Sequence, residues 1–134
     1  MTIRQKRPRW AWLLWVQLAV VLLATLAAYL GLLNLAILAW PGVDKLLHFT
    51  LYGALAFAAV GWWADRSPRL VLAVLCGLAI LEETGQALSA ARSFSAVDLA
   101  ATLLGILVLG SVAARRVHKG RRLPGRRRDS LNRS

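Results

Sequence analysis

The sequence predicts an all-α integral membrane protein, a bundle of four membrane-spanning helices with both termini in the cytoplasm. Apolar residues make up 58% of the 134 positions. A water-soluble domain of this size cannot bury so many, because a small domain has a high ratio of surface to volume. The apolar residues form long runs, whereas the 17 Lys and Arg residues lie mostly near the two ends. This pattern argues against a disordered chain, a soluble enzyme and a soluble nucleic-acid-binding domain.

The first span is predicted at about residues 12–33. A helix needs about 20 residues to cross the roughly 30 Å hydrocarbon layer, and residues 10–43 contain no Asp, Glu, Lys, Arg or His. Gly31 and Asn34 favour a helix end at this point. Residues 35–40 are too few to cross the bilayer again, so we expect them to lie at the membrane interface.

Three further apolar runs predict the second, third and fourth spans, at about residues 46–64, 70–89 and 97–114. The second run is interrupted only by His48, and a short polar turn separates it from the third. The third run is apolar up to Leu81 and then carries Glu82 and Glu83. These two carboxylates are the feature of the predicted spans that most needs an explanation.

The spans divide the chain into three parts. A basic arm of residues 1–9 precedes the four-helix transmembrane domain of residues 10–114, and a basic tail of residues 115–134 follows it. We expect the tail to be disordered or to lie on the membrane surface. A secretory signal peptide is the alternative for the N-terminus, but the apolar run far exceeds the about 7–15 residues of a signal core and no A-x-A site closes it sharply.

Orientation follows from the positive-inside rule, by which Lys and Arg concentrate in short cytoplasmic loops. With four spans both termini share a side, and that side collects 15 of the 17 Lys and Arg residues, leaving only Lys45 and Arg92 on the other. Both termini are therefore predicted to be cytoplasmic. The Arg-rich tail is expected to anchor this topology and to contact anionic membrane lipids; RNA binding is its alternative role, although no nucleic-acid partner is predicted for the protein.

The titratable residues outside the cytoplasmic segments, Tyr and Cys aside, all fall toward the predicted outer side: Asp44, Lys45, His48, Glu82, Glu83, Arg92 and Asp98. Ionisable groups within a span are costly and are typical of functional sites. Charges at the ends of spans are the simpler interpretation of the residues nearest the loops. Because Glu83 is expected roughly 9 Å below the outer edge of the hydrocarbon layer, it should face the bundle interior.

Helical spacing groups these residues further. One face of the second span carries Asp44, His48 and Tyr52, while Glu83 shares a face with Gln86, and Asp98 with Thr102. We expect the outer ends of spans two, three and four to converge, so that four of the side chains surround one cavity: His48, Glu83, Arg92 and Asp98. Within this group Glu83 and Arg92 are predicted to pair.

Three motifs occur in order along the chain: Asp44-Lys45-x-x-His48, Glu83-x-x-Gln86, and Arg92-x-Phe94-Ser95-x-x-Asp98 with Gly105 downstream. In their order and spacing they resemble the VanZ-like membrane proteins, small bacterial four-span proteins named for a member that accompanies glycopeptide (teicoplanin) resistance. The resemblance covers roughly residues 33–110. It implies a multi-pass protein of the bacterial inner membrane that acts on the cell envelope, with Glu83 rather than Glu82 as the functional acid. Four residues after Asp98 the family pattern suggests an amide side chain, and this chain has Thr102 at that position instead.

Two classes of function fit these residues. In the first, the protein binds or modulates a lipid-linked cell-wall precursor or another envelope component at a site that comprises Asp44, Lys45, His48, Tyr52, Glu83, Gln86, Arg92, Asp98 and Thr102. There Lys45, Arg92 and His48 would donate to a phosphate. In the second, the protein is a membrane enzyme in which His48 is the general acid or base and Glu83 or Asp98 its partner. A proton relay or a scaffold is the third alternative.

No metal or other cofactor is predicted. One His and scattered carboxylates form too generic a ligand set for a metal site. The single Cys76 excludes both an internal disulfide and a thiolate metal cage.

Overall fold

The computed structural model describes residues 8–32, 42–88 and 94–121, and these residues form four α-helices without a strand. The helices are α1 (Pro8–Tyr29), α2 (Val43–Trp62), α3 (Pro68–Gln86) and α4 (Ala96–Arg121). The prediction of an all-α chain is therefore confirmed. The arm up to residue 7, residues 35–40, which were predicted to lie at the membrane interface, and the tail from residue 122 are outside the described residues.

Three of the helices are long and apolar enough to cross a membrane, over Arg9–Tyr29, Val43–Trp62 and Ala96–Lys119. These three stretches indicate a membrane protein. Helix α3 does not meet the same criteria, because its 19 residues include Arg69 near the start and Glu82 and Glu83 near the end. Its chemistry is that of an apolar helix with polar ends.

Two helices end before the predicted ends of their spans. Helix α1 ends at Tyr29, four residues before the predicted boundary, because Gly31 adopts a left-handed conformation with φ 67°. The N–H groups of Gly31 and Leu32 then donate to the carbonyls of Ala28 and Ala27, at 3.1 and 2.9 Å, a Schellman motif that terminates the helix. Helix α3 ends at Gln86, three residues before the predicted boundary.

Helix α4 continues to Arg121, past the predicted end of the fourth span near residue 114. The first seven residues of the predicted tail are thus helical rather than disordered. A span ends where the chain becomes polar, but a helix ends where its backbone hydrogen bonding is interrupted. Residues 115–119 contain Arg, Val, His and Lys and no Gly or Pro, so nothing there stops the helix.

Helix α2 is the centre of the bundle. It packs most extensively on α4, with α1 on another side, and α3 packs against both α4 and α2. Small residues permit the close approach of α2 and α4: a Cβ atom added at Gly105 would lie 2.2 Å from the carbonyl oxygen of Phe49, and one at Gly53 would lie 2.9 Å from the carbonyl oxygen of Gly105. This contact sets the register in which the polar residues of the two helices meet.

The apolar side chains divide between a small interior and a large exterior surface. Leu55, Val60 and Ile106 are buried between the helices, whereas Trp12, Trp15 and many leucines are exposed. Lipid solvates exposed apolar side chains, so this distribution is the one expected for a bundle in a bilayer. At the end where α1 begins and α4 ends, Trp10 packs on Phe57 and the Arg116 guanidinium lies 5.5 Å from the centre of the same ring.

Candidate functional site

A network of polar side chains occupies the end of the bundle where α2 and α4 begin and α3 ends. Because α3 runs opposite to both neighbours, its last turns lie beside their first turns. We call this group the polar cluster, and it comprises Asp44, Lys45, His48, Tyr52, Glu82, Glu83, Gln86, Ser95, Asp98 and Thr102. Each of the three helices contributes residues one helical turn apart, so the cluster forms successive levels.

The first level is an ion-pair group around Lys45. Its ammonium contacts the carboxylate of Asp44 and lies 3.2 Å from Oδ1 of Asp98 on α4. The latter oxygen is buried and makes no hydrogen bond with the described part of the chain, so the contact is an ion pair without hydrogen-bond alignment. The backbone N–H of Asp98 donates to the hydroxyl of Ser95 at 3.2 Å, which caps the start of α4.

The second level joins His48 of α2 to Thr102 of α4. The Nδ1 atom of His48 lies 3.1 Å from Oγ1 of Thr102, and Thr102 is buried. The ring of Tyr52 lies parallel to the imidazole, with 6.3 Å between ring centres. The hydroxyl of Thr102 can donate or accept, so the contact orients the imidazole in either neutral tautomer.

The third level is centred on Glu82 of α3. Its carboxylate accepts hydrogen bonds from the hydroxyl of Tyr52 at 2.8 Å and from the side-chain amide of Gln86 at 2.5 Å. The hydroxyl of Tyr29 donates to the backbone carbonyl of Glu82 at 3.4 Å, so α1 also contacts this level. Helix α1 therefore contacts the polar cluster, whose members come from α2, α3 and the start of α4.

Glu83 connects the end of α3 to the start of α4. Its side chain is only 2% exposed, and its Oε1 atom accepts a hydrogen bond from the backbone N–H of Ser95 at 2.8 Å. Gln86, on the same face, is 3% exposed. A carboxylate this well enclosed retains its position by hydrogen bonding rather than by contact with water.

The cluster has more acidic than basic groups among the residues that the structure describes. Four carboxylates, those of Asp44, Glu82, Glu83 and Asp98, accompany the single ammonium of Lys45. That ammonium is already shared by two of them. This excess of carboxylates over ammonium groups is the reverse of the basic excess of the whole chain, whose formal net charge is +11. The described side chains of the cluster thus offer more carboxylate acceptors than charged donors.

The structure brings most of the predicted site residues into this network. Eight of the nine lie in it: Asp44, Lys45, His48, Tyr52, Glu83, Gln86, Asp98 and Thr102. Arg92 lies outside the described residues, and so does its predicted pairing with Glu83. The predicted grouping placed His48, Glu83 and Asp98 around one cavity, but each of them has a different partner. His48 contacts Thr102, Glu83 accepts a hydrogen bond from Ser95, and Asp98 pairs with Lys45.

Sequence reasoning missed two members of the cluster. Ser95 precedes Asp98 by three residues, which is the spacing of a helix N-cap and its third residue, and this signal could have identified it. Successive residues of an α-helix are turned about 100° from each other, so Glu82 and Glu83 point in different directions. Because α3 packs against two helices, Glu82 contacts α2 while Glu83 contacts the start of α4.

Within residues 8–32, 42–88 and 94–121, no three His, Cys, Asp or Glu side chains converge as metal ligands would. The acid–base candidates His48, Glu83 and Asp98 each have a hydrogen-bond or ionic partner of a different kind. Among the described contacts these three side chains therefore do not form an acid–base pair with one another. The VanZ-like resemblance rests on the motifs and stays a prediction, since no family model, curated protein or solved structure matches this chain.

Proposed function

We propose that this chain is a multi-pass protein of the bacterial inner membrane, and that its polar cluster binds the polar part of a lipid-linked or other cell-envelope component. One observation carries the proposal: Glu83 and Gln86 are almost completely buried in a helix whose residues 70–81 are all apolar. Ionisable groups held at such a place are costly and are associated with function. A role in tolerance to glycopeptides or other envelope stress follows from the VanZ-like resemblance.

The proposed topology has four spans, with α3 as the third and both termini in the cytoplasm. Residues 70–81 supply about 18 Å of apolar helix at 1.5 Å per residue. The following polar turns are covered by α2 and α4 rather than by lipid, since Glu82 contacts Tyr52 and Glu83 contacts Ser95. Such shielding allows a helix with two glutamates to continue through a bilayer. The polar cluster then lies toward the extracytoplasmic side.

Reporter fusions test this topology. A fluorescent protein fused after Ser134 should fluoresce, and alkaline phosphatase fused there should be inactive, because the phosphatase folds only outside the cytoplasm. Phosphatase should also be inactive after Ser67 and active after Ser89, on either side of α3. Equal activity at these two sites would show that α3 does not cross, and active phosphatase after Ser134 would reverse the orientation.

The charges of the polar cluster indicate which chemical groups it would bind. A phosphate would have to compete with Asp44 and Asp98 for the ammonium of Lys45. Hydroxyl, amide or ammonium groups would instead meet a surplus of carboxylate oxygens. A lipid-linked precursor that presents sugar hydroxyls and amides fits this site better than a bare phosphate does.

The alternative function is an enzyme that acts on a lipid-linked substrate, with His48 as general acid or base. The two carboxylates proposed as its partners have other contacts, since Glu83 accepts a hydrogen bond from Ser95 and Asp98 pairs with Lys45. The Nδ1 atom of His48 contacts Thr102. A proton relay or scaffold would use the same residues. Binding remains the first proposal because it does not require a carboxylate partner for His48, whereas the described contacts of His48, Glu83 and Asp98 are with other residues.

Variants of His48 and Lys45 separate binding from catalysis. In a host lacking the gene, we expect His48→Gln to retain part of the wild-type tolerance to envelope-directed antibiotics, because the Gln amide can still contact Thr102. Lys45→Gln should lower tolerance more, since it leaves Asp44 and Asp98 without their shared cation. Thr50→Ala, at an exposed position of the same helix, is the matched control.

Membrane abundance and co-purified lipid-linked compounds should be measured for each of these variants. Retention of an envelope compound by the wild type and its loss in Lys45→Gln would support binding. Complete loss of tolerance in His48→Gln, with normal abundance and with the compound still retained, would favour the enzyme.

A further inference from the structure

We propose a second site at the opposite end of the bundle, a groove that binds the phosphate of an anionic lipid headgroup. The groove lies between the start of α3 and the end of α4 and is lined by Pro68, Ala114, Arg115, His118 and Lys119. We call it the basic groove. It shares no residue with the polar cluster, and only its cytoplasmic location rests on the topology proposed above.

The polar side chains that line the basic groove are all basic. Arg115, His118 and Lys119 are exposed along the last turns of α4, where the helix extends beyond its predicted span. The start of α3 faces the same groove, with Pro68 as its first residue and with no side-chain hydrogen bond from Ser67 to cap it. Pro68 has no N–H group, and the N–H groups of Leu70 and Val71 donate to the carbonyl of Ser67 at 3.1 and 3.2 Å. The helix start therefore adds only the partial positive charge of its dipole to the attraction for an anion.

The surface beside the groove is apolar, which favours a lipid over a soluble anion. Along α4, Val108, Val112, Arg115 and Lys119 follow one another at spacings of four, three and four, so they lie on one face. Val108 is 48% exposed. A lipid whose phosphate contacts Arg115 and Lys119 can therefore lay its acyl chains along the valines of the same face.

Helix α3 offers a similar apolar border, since Leu70 is 57% exposed just after the groove. Trp62 and Trp63 end α2 a few residues earlier in the chain, and Trp residues mark the headgroup level of a bilayer. The groove thus lies at the depth of lipid phosphates. Basic pockets between transmembrane helices on the cytoplasmic side commonly bind such headgroups.

The test measures the lipid retained by the purified full-length protein. Phosphatidylglycerol or cardiolipin is titrated against phosphatidylcholine in detergent, and bound lipid is counted by mass spectrometry of the intact complexes. We expect the wild type to prefer the anionic lipids. The double variant Arg115→Gln/Lys119→Gln should bind them about tenfold or more weakly, whereas Arg115→Lys/Lys119→Arg should retain binding.

The double variant Arg126→Gln/Arg127→Gln is the charge-matched control, because it removes two tail charges and leaves the groove intact. If this control loses as much lipid as the groove variant does, the anionic lipid is attracted by the basic segment in general, and the proposed binding site in the groove is wrong. Two other results would also contradict the proposal: a wild type without preference for anionic lipid, and bound lipid displaced by millimolar inorganic phosphate. RNA in the purified protein in place of lipid would assign the basic residues to a different ligand. Since the wild-type preference does not depend on any variant, a misfolded variant leaves the proposal testable.

Discussion

Replacing Gly105 by alanine should lower the free energy of unfolding of the bundle by about 1–3 kcal/mol, the usual cost of forcing extra volume into a packed interface. The added Cβ would lie 2.2 Å from the carbonyl oxygen of Phe49 and 2.9 Å from its Cα and carbonyl carbon. These are backbone atoms, so no side-chain rotation can relieve the contact and α2 must move away from α4. The polar cluster should be affected too, because His48 and Thr102 meet through the same pair of helices.

Gly77→Ala is the matched control, because a Cβ atom there meets nothing within 4 Å. It makes the same chemical change in the middle of α3 and should stabilise the protein by about 0.5–1 kcal/mol through the higher helix propensity of alanine. The two variants and the wild type should be compared by thermal or denaturant-induced loss of helical circular dichroism in one detergent. If Gly105→Ala proves as stable as Gly77→Ala, the helices do not approach each other as the structure shows.

The sequence was sufficient to predict the helices because the signal is physical and local. A bilayer requires long apolar segments, and residues 10–43 and the runs after them predict where the helices lie. Helix ends depend on other forces. The end of α1 is set by backbone hydrogen bonds around Gly31, and α4 continues as a helix after its residues become polar. A hydropathy pattern reports only the solvent that a segment prefers, so it cannot predict either of these helix ends.

Most members of the polar cluster were also predictable, whereas their pairings were not. Helical spacing places His48 and Tyr52 on one face of α2 whatever that helix contacts. The partner of each side chain depends on which helices touch and in which register. Helix α3 lies against both α2 and α4, so Glu82 and Glu83 each find a partner although they point in different directions. No pattern within a single helix contains that information.

The second large effect is expected at Glu83. Glu83→Gln should abolish the envelope phenotype while the protein still inserts and folds, because the Gln side-chain oxygen can accept the N–H of Ser95 that the carboxylate accepts at 2.8 Å. Glu83→Ala should abolish the phenotype and also destabilise the bundle. It leaves the partly buried N–H of Ser95 without its acceptor, which costs up to about 1–3 kcal/mol, and it opens a cavity at a position only 2% exposed.

Glu82→Gln is the matched comparison, one residue earlier in the same helix. The Glu82 carboxylate accepts hydrogen bonds from Tyr52 and Gln86. A Gln side chain can satisfy both partners if the Gln86 amide rotates to present its oxygen, since hydroxyl and amide groups both donate and accept. We therefore expect a milder loss of antibiotic tolerance than in Glu83→Gln. Measuring tolerance, membrane abundance and thermal stability for all three variants separates the loss of charge from the loss of structure. If Glu82→Gln were damaging and Glu83→Gln silent, the functional carboxylate would be the one bound to Tyr52 and Gln86, and the motif alignment that selects Glu83 would be wrong.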